Sequence, residues 1–159
     1  MIKEIEGFLK NHINGNITVV QGDSFLSEPY HDRIILGKRY KGLNKYIIQE
    51  AYKELNIKLP CEIETFAILH EAGHIQTLGG MEQELFDALF YAYQAACEEF
   101  DKGIESIDQF VQYSELAIEK IANEWALDFM RSNPELTAEL NRTVIEYYNK
   151  LEKGERKWD

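Results

Sequence analysis

Cysteine is scarce in this chain, positive charge is in deficit, and no long apolar run occurs. Only Cys61 and Cys97 appear in 159 residues, too few for a disulfide framework. Both sit in apolar contexts and read as buried thiols, which suits a reducing compartment. Lysine and arginine number 17 against 28 aspartates and glutamates, a formal net charge of −11. Such a surface repels phosphate backbones and anionic lipid, so neither nucleic acid nor a membrane is an expected partner. No apolar stretch approaches the roughly 20 residues that span a bilayer. The opening MIKEIEGFLK contains Glu4 and Glu6 and lacks the continuous apolar core of a signal peptide, so a cytoplasmic protein is the expectation. Internal repeats and low-complexity tracts are missing as well.

What remains is a folding composition. A hydrophobic share of 45% with 12% aromatics supports a real core, and the length suits one domain over residues 1–159 rather than two.

Histidine is also rare, with four in the chain, and two of them fall in His70-Glu71-Ala72-Gly73-His74. Residues four apart on a helix lie on one face, because four positions make about 1.1 turns. Both imidazoles can therefore reach one ion. Glu71, one position after His70, is poorly placed to be a third helix ligand and well placed to hydrogen-bond a water on that ion. This is the HExxH arrangement of two ligands and one general base. It needs a helix, and the surrounding Phe66, Ala67, Leu69, Ala72 and Gly73 predict a mostly apolar one over about 62–78. Pro60 stands upstream, and Gly79-Gly80 offers a stop of the left-handed kind.

The flanking chain reads as helix with a little strand. Ile2, Ile5, Phe8 and Leu9 share a face of a first helix ending near Asn14-Gly15. Ile17–Val20, short and β-branched, reads as a strand and Arg33–Leu36, closed by Gly37, as a second, and Gln21–Asp32 between them reads as a loop. Asn44 caps a helix to about Leu55, with Tyr46, Ile47, Ala51 and Leu55 inward. Glu82–Phe100 is apolar nearly all round, predicting a central, buried helix whose aromatic stripe is core. Ser106 and Gln109 form a capping box that opens a helix to about Arg131. Asn133-Pro134 opens the last one, to about Glu152. The fold class expected is α+β, mostly helical with a small N-terminal sheet.

A catalytic zinc site needs a third protein ligand and an open fourth position. His12 and His31 lie upstream in positions typical of surface histidines, so a carboxylate has to serve. Glu119 and Glu124 are the two candidates. On a helix Glu119 neighbours Glu115, Ala122, Asn123 and Ala126, and small neighbours let its helix approach the histidines. Asn123 is placed to hydrogen-bond a ligand. Glu124, flanked by Lys120, Leu127 and Asp128, has a second carboxylate at metal-site spacing. Glu119 is the first choice.

HEAGH followed by Glu119-Lys120-Ile121-Ala122-Asn123-Glu124-Trp125-Ala126 resembles the gluzincin metallopeptidases, whose ligand glutamate lies in an ExxA(D/N)xxA helix. FAILHEAGHI with EKIANEWALDFM is most similar to the ImmA/IrrE-type peptidases of bacteria and phages. The resemblance implies a zincin-like fold, with His70, His74 and Glu119 as zinc ligands and Glu71 as the catalytic glutamate. It further implies cytoplasmic enzymes that cut protein targets in prophage, mobile-element or stress circuits. Asn123-Glu124 with Asp128 also matches the NExxxD helix of thermolysin-like enzymes, which keeps Glu124 in play.

The expected chemistry is peptide hydrolysis, with zinc lowering the pKa of a bound water and Glu71 taking its proton. Tyr147 and Tyr148 are the downstream candidates for oxyanion donors, and neither is chosen. By the same resemblance a protein or peptide substrate pairs with an edge strand, for which Arg33–Leu36 is the candidate and Gln21–Asp32 a cover. The competing expectation is a zinc-binding regulatory or interaction protein on the same fold that does not hydrolyse peptides.

Overall fold

The computed structural model describes residues 2–98 and 104–154. Its elements run α1 (Ile2–His12), β1 (Thr18–Gln21), β2 (Leu26–Glu28), a single 3-10 turn (Pro29–His31), β3 (Arg33–Leu36), α2 (Gly42–Glu54), α3 (Ile63–Leu78), α4 (Gln83–Cys97), α5 (Ile107–Ser114), α6 (Ala117–Ser132) and α7 (Pro134–Glu152). The class is α+β and mostly helical, as the periodicities predict.

The helix carrying the two histidines is the centre of the molecule. Thirteen of the sixteen residues of α3 are buried, because a helix apolar all round has no face to give to water. Phe66, Ile68, Leu69, Ala72 and Ile75 sit in the main core with Ile5, Leu9, Ile34, Leu140 and Tyr147. The start of α3 is fastened by α7: Asn141 Oδ1 accepts from Glu62 N at 2.9 Å and from Thr65 Oγ1 at 2.8 Å. The first of these satisfies a backbone N–H that a helix N-terminus leaves open.

The most extensive packing partner of α3 is α6, and Gly73 explains how close the two come. A Cβ on Gly73 would lie 2.9 Å from Ala122 O and 3.3 Å from Ala122 Cα. The obstacle is backbone, which cannot swing aside. Replacing glycine in a helix with alanine gains about 1 kcal/mol of propensity, which partly masks this clash. Valine gains less and adds more bulk. Gly73→Val is therefore expected to destabilise the protein by an amount at the upper end of the roughly 1–3 kcal/mol typical of overpacking, read as a lower urea midpoint at unchanged slope. A wild-type midpoint would show that the helices separate freely.

The sheet has the order β1-β3-β2. β1 and β3 are parallel in the register Thr18↔Arg33 to Gln21↔Leu36, and β2 is antiparallel to β3 with Leu26↔Ile35 and Glu28↔Arg33. Arg33–Leu36 is thus the central strand, not the edge expected from sequence. The segment Gln21–Asp32 is not a plain loop either, since Leu26-Ser27-Glu28 pairs along β3 and becomes the edge itself. Three residues between Gly22, Ser24 and Pro29 are too few to show alternation.

Other expectations are corrected by packing. α4 is not a buried central helix: Phe86 is its one buried residue among those described, and Leu85, Phe90 and Tyr91 are exposed. Its apolar residues wall a cavity on one side and leave Leu85 and Tyr91 exposed on the other; Phe100 lies outside the described residues. The helix expected over Ser106–Arg131 is broken at Glu115-Leu116 into α5 and α6, although Ser106 does cap it, with Gln109 N donating to Ser106 Oγ at 3.2 Å while Gln109 Oε1 accepts from Glu105 N at 2.8 Å. In α2 the buried residues are Ile47, Ile48 and Ala51 while Tyr46 is exposed, and the helix starts at Gly42, so Asn44 does not cap it. Gly79 ends α3 in a right-handed conformation rather than a left-handed one. A Cβ there would sit 2.6 Å from Ile75 O, which is the use of a glycine at that point. Cys61 and Cys97 are half-buried rather than buried.

Candidate metal centre

The i, i+4 geometry of α3 delivers what its sequence promises. The rings of His70 and His74 stand 4.6 Å apart and nearly perpendicular, at 87°. The ligand atoms of His70, Glu71 and His74 lie within 4.8 Å of one another.

Opposite them, α6 supplies a carboxylate. Glu119 Oε2 is 2.7 Å from His70 Nε2, and Oε1 is 3.3 Å from His74 Nε2. Glu119 is almost fully buried, at 4% exposure, and sits in the first turn of α6, where the positive end of the helix dipole favours an anion. Glu124 points to solvent on the exposed side of α6 and Asp128 pairs with Arg131 at 2.9 Å. Of the two candidate glutamates, the structure brings Glu119 to the histidines and leaves Glu124 away.

Asn123, one turn beyond Glu119, is 2.7 Å from His70 Nδ1 through its Oδ1. The imidazole Nδ1–H donates there, which assigns the tautomer that leaves Nε2 for a metal. His74 has no such support: its Nδ1 is buried and without a hydrogen-bond partner among the described residues. Ligating through Nε2 puts a proton on that nitrogen at a cost of about 1–3 kcal/mol. Zinc held by a three- or four-ligand site contributes on the order of 10 kcal/mol, so the orphan atom does not decide the matter. Two imidazole Nε2 atoms and one carboxylate are the donor set of a catalytic zinc, and the residues present fit the ion.

No protein-family model, curated protein or solved structure matches this chain.

Charge at the site follows from burial and contact. Burial works against a charge on His70, but the Glu119 hydrogen bond, the Glu71 and Glu119 charges and the Asn123 bond outweigh it and raise the pKa to about 9. Burial likewise opposes ionisation of Glu119, and the hydrogen bonds and charges of His70 and His74 overcome it, holding the carboxyl well below the usual range. Without a metal, then, the centre is an ion pair.

Two tyrosines missed by the sequence reading touch Glu119. Tyr93 on α4 and Tyr113 at the end of α5 each donate to Oε1 at 2.9 Å, and their hydroxyls are 2.8 Å from each other. Burial and the Glu119 charge push both phenols upward, so they stay protonated. The signal for Tyr93 lies in the aromatic stripe of α4, which lines the cleft instead of the core. By contrast Tyr147 and Tyr148 are core residues that line neither cavity beside Glu71: Gln21 donates to the Tyr147 hydroxyl, and the Tyr148 hydroxyl donates to Gly37 O. They are not oxyanion donors. His12 and His31 are exposed, as expected.

Glu71 is buried, at 8% exposure, and borders two cavities. One, of about 220 Å³, reaches from His74 and Glu119 to Leu26 and Ser27 of β2 and to Phe86 and Phe90 of α4. The other, of about 120 Å³, lies on the His70 side against Tyr40 and Tyr52. The candidate ligand residues His74 and Glu119 are thus reachable from a cleft that runs past an edge strand.

Proposed function

We propose that this chain is a zinc-dependent metallopeptidase of the gluzincin type that hydrolyses peptide bonds of a protein substrate in the cytoplasm. The observation that carries the reading is the convergence of His70 Nε2 and His74 Nε2 on the Glu119 carboxylate, with Glu71 beside them on the cleft. The likeness of HEAGH and EKIANEWA to the ImmA/IrrE-type peptidases supports it.

Zinc bound by His70, His74 and Glu119 would supply a Lewis acid that lowers the pKa of a bound water towards about 7. Glu71, which borders both cavities, accepts a proton from water at its carboxylate and returns it to the departing amine. Asn123 keeps His70 turned toward the ion. The aromatic and aliphatic walls of Phe25, Phe86 and Ile118 exclude bulk water, which strengthens each of these charges.

Substrate docking is assigned to β2. The outer side of β1 is closed, since Glu6 Oε2 accepts from Val19 N at 2.8 Å and α1 packs against that strand. β2 instead borders the cleft, where an extended peptide adds to the sheet through main-chain bonds. No described helix is long and apolar enough to cross a membrane.

The test is cleavage of a dye-labelled unfolded protein by the zinc-loaded chain, before and after stripping with a chelator. Fragments that disappear on stripping and return with zinc are the expected result. Stoichiometric zinc without any cleavage would favour the non-proteolytic, zinc-binding regulatory protein. Failure to take up zinc would overturn both.

A further inference from the structure

We infer that Tyr93 and Tyr113 are positioning residues that hold Glu119 as a one-oxygen ligand, occupying its Oε1 and leaving Oε2 for the ion. The inference rests on the metal-centre reading and concerns residues that the HExxH and ExxAN motifs do not contain.

The geometry is asymmetric between the two carboxylate oxygens. Oε1 accepts from both phenols at 2.9 Å and lies 3.3 Å from His74 Nε2, whereas Oε2 faces His70 Nε2 at the closer 2.7 Å. A carboxylate oxygen has two in-plane acceptor sites; the two phenols make the shorter approaches to Oε1, and His74 Nε2 is left the longer one. Hydrogen bonds to an ionised acceptor are the stronger kind, so the negative charge of Glu119 draws both hydroxyl protons although the phenol oxygens also lie within 2.8 Å of one another. A carboxylate clamped through one oxygen cannot spread across an ion with both. Its coordination sphere then keeps the open position that substrate and water require.

Placement of the hydroxyls argues that they serve this carboxylate rather than packing. Five rings wall this side of the centre in ring-to-ring contact: Phe86, Phe90, Tyr93, Tyr113 and Phe110. The two that reach Glu119 are the two with hydroxyls. Tyr113 reaches it only because the helix breaks at Glu115-Leu116. On one continuous helix, residues six apart point about 120° away from each other.

The experiment compares wild type with Tyr93→Phe, Tyr113→Phe and the double variant, each checked for folding by circular dichroism in the metal-free state. Phenylalanine keeps the ring contacts and removes only the hydroxyl. The zinc Kd, from competition with a chromophoric chelator, is expected to rise about tenfold in each single variant and up to about a hundredfold in the double, as for other groups that orient metal ligands. The second readout is the visible spectrum of the cobalt-loaded protein. In the double variant the intense bands of a four-coordinate ion are expected to weaken as Glu119 turns to bind through both oxygens. An unchanged Kd and unchanged cobalt bands overturn the inference. A raised Kd with unchanged bands also overturns it, since that result assigns the hydroxyls a packing role. If one single variant fails to fold, the other carries the same two readouts. Wild-type protein that takes up neither zinc nor cobalt overturns the metal centre itself, an outcome separate from the other two.

Discussion

Glu119→Ala is expected to leave the purified protein without stoichiometric zinc, while Glu124→Ala keeps about one ion per chain. The two glutamates are five positions apart on one helix and both fit a known zinc-ligand pattern, yet α6 turns them to opposite fates. Glu119 is buried against both imidazoles, and Glu124 is exposed. Without Glu119 two neutral imidazoles face the ion alone, which is short of the three protein ligands a catalytic zinc uses. Elemental analysis of dialysed protein reads the result directly. Zinc lost in Glu124→Ala and kept in Glu119→Ala would overturn the ligand assignment.

The same substitution has a pH signature in the metal-free protein. His70 is raised from an ordinary 6.5 to about 9, so the stability from its pairing with Glu119 is fully present below about pH 6.5 and is lost as the pH climbs through about 9. The carboxyl of Glu119 is depressed, so its contribution is present above its ordinary 4.5 and is lost only in strong acid. Thermal unfolding midpoints of the metal-free wild type should therefore fall between pH 6.5 and 9, and those of Glu119→Ala should not. Zinc has to displace the same proton. Its apparent affinity for the wild type should rise about tenfold per pH unit over that range, one proton being released per ion.

How much of this was legible in the sequence depends on the range of the signal. His70, Glu71 and His74 are a local pattern on one helix, so spacing alone placed them. Glu119 was singled out by the smallness of Ala122 and Ala126, and the structure brings it to the histidines because Gly73 meets the backbone of Ala122, an approach that needs small residues on both helices. Asn123 followed from the same helix geometry and bonds His70, one of the two candidate ligand histidines.

The failures are equally physical. No glycine or proline marks the break at Glu115-Leu116, so a period of 3.6 ran on through it and concealed Tyr113. α4 is apolar on most sides, and periodicity cannot tell a buried helix from one that walls a cleft with Phe86, Phe90 and Tyr93 and leaves Leu85 and Tyr91 exposed. β2 is too short to alternate. Each missed feature is defined by what it meets from elsewhere in the chain, and together they form the side of the cleft facing the histidines.

Glu71→Gln is expected to keep about one zinc per chain and lose hydrolysis by about 10²–10⁴-fold, the range that general acid–base catalysis supplies. Glutamine matches glutamate in size and fills the same buried place between the two cavities, so packing and the urea midpoint should stay near wild type. What it lacks is a carboxylate able to take a proton. Its amide can still accept a hydrogen bond from water, which separates holding the water from deprotonating it. The comparison also decides between two carboxylates that both lie near the histidines. Because Glu71 shares a cluster within 4.8 Å of both imidazoles, a role as ligand predicts zinc loss in Glu71→Gln and retention in Glu119→Ala. The contacts of Glu119 at 2.7 and 3.3 Å predict the reverse. Full hydrolysis by a zinc-loaded Glu71→Gln would show that the water gives its proton to another group, and the Glu71 mechanism would fall while the metal centre stood.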